Sequence, residues 1–162
     1  MEQLFSALAA LQASALPTAL RLSYYGYPLV NAGHIVGIAL LFGGIVPLDL
    51  RLLGFWPSVP AAMLARILVP IAITGLTLAV ATGALLFSVS AVKYAGLGVF
   101  QLKMLLVIAA TANALLLRRV PAWSGDASGR SSIRWRVASA AGLSIALWLA
   151  VILCGRTVAY ID

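Results

Sequence analysis

Apolar residues in this chain come in long runs rather than in alternation. Four runs dominate, over about residues 25–48, 67–88, 99–117 and 137–159. Each is long enough for a transmembrane helix, which needs roughly 20 mostly apolar residues. The breaks are polar or helix-breaking. Asp49 and Arg51, followed by Pro57 and Pro60, close the first run, and Lys93, Gly96 and Gly98 separate the second from the third. Arg118, Arg119, Pro121 and the stretch WSGDASGRSSIRWR separate the third from the fourth, and only that stretch reads as freely solvated.

Composition turns this pattern into a class. Of 162 residues, 63% are hydrophobic and 9% charged, with a mean hydropathy of +1.07. A soluble domain carries about 25% charged residues, and a globule this apolar would expose patches that drive aggregation. The expected fold is therefore all-α, an integral membrane four-helix bundle over residues 24–162, preceded by an N-terminal interfacial segment over residues 1–23. The net charge of +7 reports topology before partners in such a protein, and the lipid bilayer, not nucleic acid, is the expected surrounding.

The N-terminal segment lacks a basic region ahead of its first apolar residues, unlike a secretory signal. Leu4, Phe5, Leu8 and Leu11 fall at helical spacing. This predicts a short helix in the interface or against the bundle, a bend near Pro17, and a second short piece carrying Arg21. Tyr24, Tyr25 and Tyr27 follow as an interfacial aromatic anchor. The basic residues orient the spans. One side has Arg51, Arg66, Arg118, Arg119, Arg130, Arg134 and Arg136; the other has Arg21, Lys93, Lys103 and Arg156. Seven against four places the first set in the cytoplasm, so both termini of a bacterial inner-membrane protein would face the periplasm.

Candidate chemistry is sparse and lies at membrane depth. His34 is the sole histidine, about 14 Å below Tyr25 at 1.5 Å per residue, too deep for imidazole to reach water. It is a neutral histidine bonded inside the bundle, a haem or metal ligand, or a proton relay. Gly37, one turn along, clears space beside it, either for a flat macrocycle or for close helix packing; Gly33–Gly37 and Ala39–Gly43 on one helix, and Gly75, Ala79 and Gly83 on the next, are small-xxx-small series. Lys103, Cys154 and Arg156 occupy the same half of the bundle, Lys103 facing inward or snorkelling. Asn113 reads as interhelical glue. Asp49 and Arg51 read as a helix stop and a possible pair. One histidine and one cysteine cannot make a tetrahedral zinc site. There is no CxxC motif, paired acid or phosphate loop. If haem b is bound, His34 is the first axial ligand, with Met104, a second His34 from a symmetry mate, or an open position opposite it.

The runs HIVGIALLFGGIVPLDLRLLG and TGALLFSVSAVKYAGLGVFQLKMLL resemble a family of uncharacterised bacterial four-helix membrane proteins. That family shares a first-helix histidine, a DLRLLG ending, a TGxLLF segment and an FxxK opening of the third helix. The resemblance covers about residues 20–117, and where family members often carry a glutamate this chain has Asn31. More distantly, a first-helix histidine followed by a third-helix lysine is similar to HemJ-type protoporphyrinogen oxidases. That similarity implies His34 as a haem ligand and Lys103 as a partner for a propionate or substrate carboxylate. CopD-type copper-uptake proteins share the histidine-and-glycine first helix, but copper sites use several His, Met or Cys ligands.

The expectation is a small inner-membrane protein binding haem b through His34, with Gly37, Lys103 and Met104 around it and a redox or electron-transfer role. The alternatives are a non-catalytic homo-oligomer or accessory subunit of a partner membrane protein, its glycine faces packing on neighbours, and a small ion, proton or metal transporter.

Overall fold

The computed structural model describes residues 2–118, 131–158 and 160. These residues form seven helices and no strand: α1 (Glu2–Ala13), α2 (Ala15–Leu22), α3 (Gly26–Leu53), α4 (Ala61–Val89), α5 (Ala91–Gly96), α6 (Gly98–Arg118) and α7 (Ser131–Val158). Four are long and apolar enough to cross a membrane, as the runs predict: α3, α4, α6 and the Trp135–Val158 part of α7. The polar loop carrying Arg119, Asp126 and Arg130 lies outside the described residues.

Two helical hairpins make the bundle. α3 packs on α4, α6 packs on α7, and α3 against α7 joins the pairs, whereas α4 and α6 make no extended contact. The centre holds Leu41, Ala110, Trp148 and Val151, with Phe42, Leu76 and Leu106 packed around them. Large apolar side chains such as Leu29, Ile35, Ile108 and Leu153 point outward. That is the pattern of a bundle solvated by lipid, where outward apolar groups meet a solvent as apolar as themselves.

The tightest packing is between α3 and α4, and glycine makes it possible. A Cβ on Gly37 would stand 2.6 Å from the backbone nitrogen of Ala79, and one on Gly75 would stand 2.3 Å from that of Leu41. Gly44 is pressed in the same way, 2.8 Å from the Leu68 carbonyl. The second small pair of α3 is not used: Ala39 is exposed, and nothing lies within 4 Å of a Cβ on Gly43. The space beside Gly37 is therefore filled by the backbone of α4.

Helix ends differ from the sequence reading for local reasons. The N-terminal break falls at Ser14, three residues before Pro17. Pro17 then sits in the first turn of α2, where its missing N–H is not required. α1 and α2 meet at a bend of 54° and rest on α4 and α5, while Tyr24 and Tyr25 are exposed beside them. At the far end of α3, Asp49 does not stop the helix, which runs on to Leu53 and closes with Gly54 at φ 113°. This is the left-handed cap that glycine supplies without strain.

Candidate functional site

His34 projects from α3 onto α4, where the TG of the TGALLF segment forms its seat. Its Nδ1 lies 2.9 Å from the Ala79 carbonyl oxygen and 3.2 Å from Thr82 Oγ1. A carbonyl can only accept, so Nδ1 carries the proton and donates. The Thr82 hydroxyl spends its own proton on the Leu78 carbonyl, at 2.6 Å, and offers only a lone pair to the ring. The imidazole lies against Gly83, where a Cβ would stand 3.0 Å from Cε1. His34 is thus a half-buried histidine with the Nδ1 proton directed at a backbone carbonyl. Among the described residues Nε2 has no hydrogen-bond partner.

Lys103 faces the same half of the bundle. Its side chain crosses the glycine face of α7, with Nζ 3.4 Å and Cε 3.5 Å from the position a Gly155 Cβ would take. It is half-buried between α6 and α7, beside Gly155. Its ammonium makes no hydrogen bond to another described residue. Arg156, two residues beyond Cys154, is exposed and bonds to Tyr160, the ring of which it also overlies. Above this region Phe87, Tyr94 and Phe100 stack, with centroids 5.3 and 5.8 Å apart. Tyr27 lies near Tyr94 at this end. This aromatic cluster closes the Tyr25 end of the bundle over His34.

The remaining predicted residues fall elsewhere. Met104 is on the exposed side of α6, and no contact brings it to His34. Gly37 faces α4 and leaves no free volume on that side. Asn113 donates to the Ala140 carbonyl at 3.0 Å, tying α6 to α7. Arg51 does not meet Asp49; it donates to the Val59 and Pro57 carbonyls and pins the loop after α3.

Asp49 is where the sequence reading missed most. It is only 4% exposed and turned into the bundle, on the same cavity wall as Ser144 of α7. Two residues apart on a helix means about 200° of rotation, so Asp49 and Arg51 must face opposite ways. That spacing was the available signal. Ala79, Thr82 and Gly83 were missed as the seat of His34 because a backbone carbonyl leaves no mark in side-chain chemistry.

Among the described residues no three His, Cys, Asp or Glu side chains converge as a metal site. A metal held at His34 would therefore arrive with most of its own ligands, as iron does in a porphyrin. No known protein family, curated protein or solved structure matches this chain. The fold and the site define it as a multi-pass helical membrane protein with polar groups held inside the spanning bundle.

Proposed function

We propose that this protein binds haem b through His34 Nε2 and has a redox or electron-transfer role in the bacterial inner membrane. The observation that carries the reading is the Nδ1 proton directed at the Ala79 carbonyl. An Nδ1–H given to a backbone carbonyl aims the ring and keeps the Nε2 lone pair for a metal, as second-shell bonds to ligating histidines commonly do. Lys103 supports it as a cation of comparable depth, without a hydrogen-bond partner among the described residues and suited to a propionate. Haem would supply the one-electron couple; the chain supplies the axial nitrogen, the low-dielectric walls and the counter-charge. Gly37 has no part in making room for the ring, and Met104 is not placed as a sixth ligand. Any further ligand to the iron would come from a second copy or a partner membrane subunit.

The orientation proposed is both termini in the periplasm. With Lys103 turned to the interior and left out, the cytoplasmic set Arg51, Arg66, Arg118, Arg119, Arg130, Arg134 and Arg136 faces only Arg21, Lys93 and Arg156, which strengthens the basic-residue asymmetry.

The test is the visible spectrum of protein purified from cells supplied with ample haem. A Soret band at about one haem per chain is the expected result. Colourless protein under those conditions would refute the reading, and the scaffold alternative would then lead. Gly37, Gly44 and Gly75 are taken up inside the α3–α4 hairpin, so that alternative would rest on the exposed Ala39–Gly43 pair.

A further inference from the structure

A second polar feature lies at the other end of the bundle from His34 and is independent of haem. Where α4 and α6 stand apart, a cavity of about 130 Å³ opens between them, floored by α3 and α7. Its walls are mostly apolar, with Thr111 and Arg118 of α6 also among them, and Ile73 and Leu115 on its rim are exposed on the lipid-facing surface. Its floor contains Asp49 and Trp148, each 4% exposed. Ser144 of α7 lies beside Asp49 on the same floor, and Asp49 Oδ2 and Trp148 Nε1 are both buried without a hydrogen-bond partner among the described residues.

Buried polar atoms left unpaired cost free energy, and each such atom in a folded protein calls for a partner. The two atoms here ask for different things. The indole N–H can only donate, so its partner must accept. Asp49 Oδ2 calls for a donor when ionised. A metal ion or an ammonium would satisfy Asp49 and leave the indole unpaired. A carboxylate or phosphate would satisfy the indole and meet Asp49 as a like charge. With Asp49 ionised, a hydroxyl answers both, because it donates to the carboxylate and accepts from the indole at once. One water could bridge the two atoms, but a water takes about 30 Å³ of liquid volume and needs two to four polar partners, so it would leave most of this apolar cavity unfilled. A cavity of about 150 Å³ lined by apolar side chains accepts a benzene-sized guest. The volume, the aromatic floor and the lateral opening therefore specify one kind of molecule: a six-membered ring bearing a hydroxyl, soluble in the bilayer.

We propose that the cavity between α4 and α6 is a binding site for a lipid-soluble phenol or hydroquinone, its hydroxyl bridging Asp49 Oδ2 and Trp148 Nε1. The ring enters sideways from the bilayer past Ile73 and Leu115, and its hydrocarbon tail stays in lipid. This site stands whether or not His34 holds iron.

The test uses the full chain in lipid nanodiscs and two probes: decyl hydroquinone, and the same molecule with both hydroxyls methylated. Binding is followed by equilibrium partitioning and by change in tryptophan emission. The hydroquinone should bind saturably and about tenfold more tightly than the dimethyl ether, which keeps the ring and tail but cannot donate. Trp148→Phe keeps an aromatic ring and removes the N–H; it should weaken hydroquinone binding by about fivefold and leave the ether unchanged. Asp49→Asn should also weaken the hydroquinone. Equal affinity for the two probes in the unaltered protein would overturn the proposal without recourse to any variant. So would absence of saturable binding, the result expected if the floor holds only water, or full hydroquinone affinity in folded Trp148→Phe and Asp49→Asn proteins.

Discussion

At the scale of the residue, His34 works in one direction only. Its proton is committed to the Ala79 carbonyl, and Thr82 and Gly83 fix the plane of the ring. Gly83→Ala tests that seat. The added methyl would stand 3.0 Å from Cε1, so the ring must shift by a few tenths of an ångström from its seat. Haem affinity should fall by about tenfold, the size of effect typical when a ligand's supporting shell is disturbed, while helix content by circular dichroism stays the same. Unchanged affinity in Gly83→Ala would show that the seat does not aim the ligand. Thr82→Val should be milder, since the stronger acceptor remains. What was legible at this scale was that His34, at membrane depth, needs a partner; what was not was that the Ala79 carbonyl and Thr82 supply it. Asp49 shows the converse. Its place at the end of an apolar run made it look like a stop signal, but helical geometry alone puts it 200° from Arg51 and so on the inner face.

At the scale of the element, the α3–α4 hairpin is governed by what glycine leaves out. The sequence showed two small-residue series and two uses for them, a cofactor slot or mutual packing. The structure packs Gly37 and Gly44 against Gly75, Ala79 and Ala72. The sequence could not choose between the uses, because a missing side chain is compatible with any close neighbour. A pair of substitutions separates packing from mere composition. Gly75→Ala sets a methyl against backbone that cannot move cheaply and should destabilise by about 2–3 kcal/mol, the upper range for overpacking. Gly43→Ala meets nothing within 4 Å and should be neutral or stabilising by up to about 1 kcal/mol, since alanine is the better helix former. Unfolding in mixed detergent micelles measures both, and equal effects would contradict the packing described. Asn113→Ala should cost about 0.6–1 kcal/mol in the same assay, as interhelical hydrogen bonds in membranes do; no loss would show that the bond to Ala140 contributes nothing.

At the scale of the whole molecule, two hairpins share one seam, between α3 and α7, and leave the opposite side open between α4 and α6. The number of spans was legible because hydrocarbon thickness sets helix length. Their order around the bundle was not, since outward and inward faces are both apolar and carry no amphipathic stripe. Orientation is checked with single cysteines in a Cys154→Ala background. Ser6→Cys, exposed on α1, should react with a membrane-impermeant maleimide in spheroplasts; Ser58→Cys, exposed in the loop after α3, should react only after lysis. The reverse pattern would invert the proposed topology and put His34 in the cytoplasmic half. The central claim, that His34 Nε2 ligates haem iron, is tested most directly by removing the ring and giving it back. His34→Gly should lose the Soret band, and free imidazole added to that variant with haem should restore it. An undiminished band in His34→Gly, or no band in the unaltered protein at any haem supply, would contradict the account.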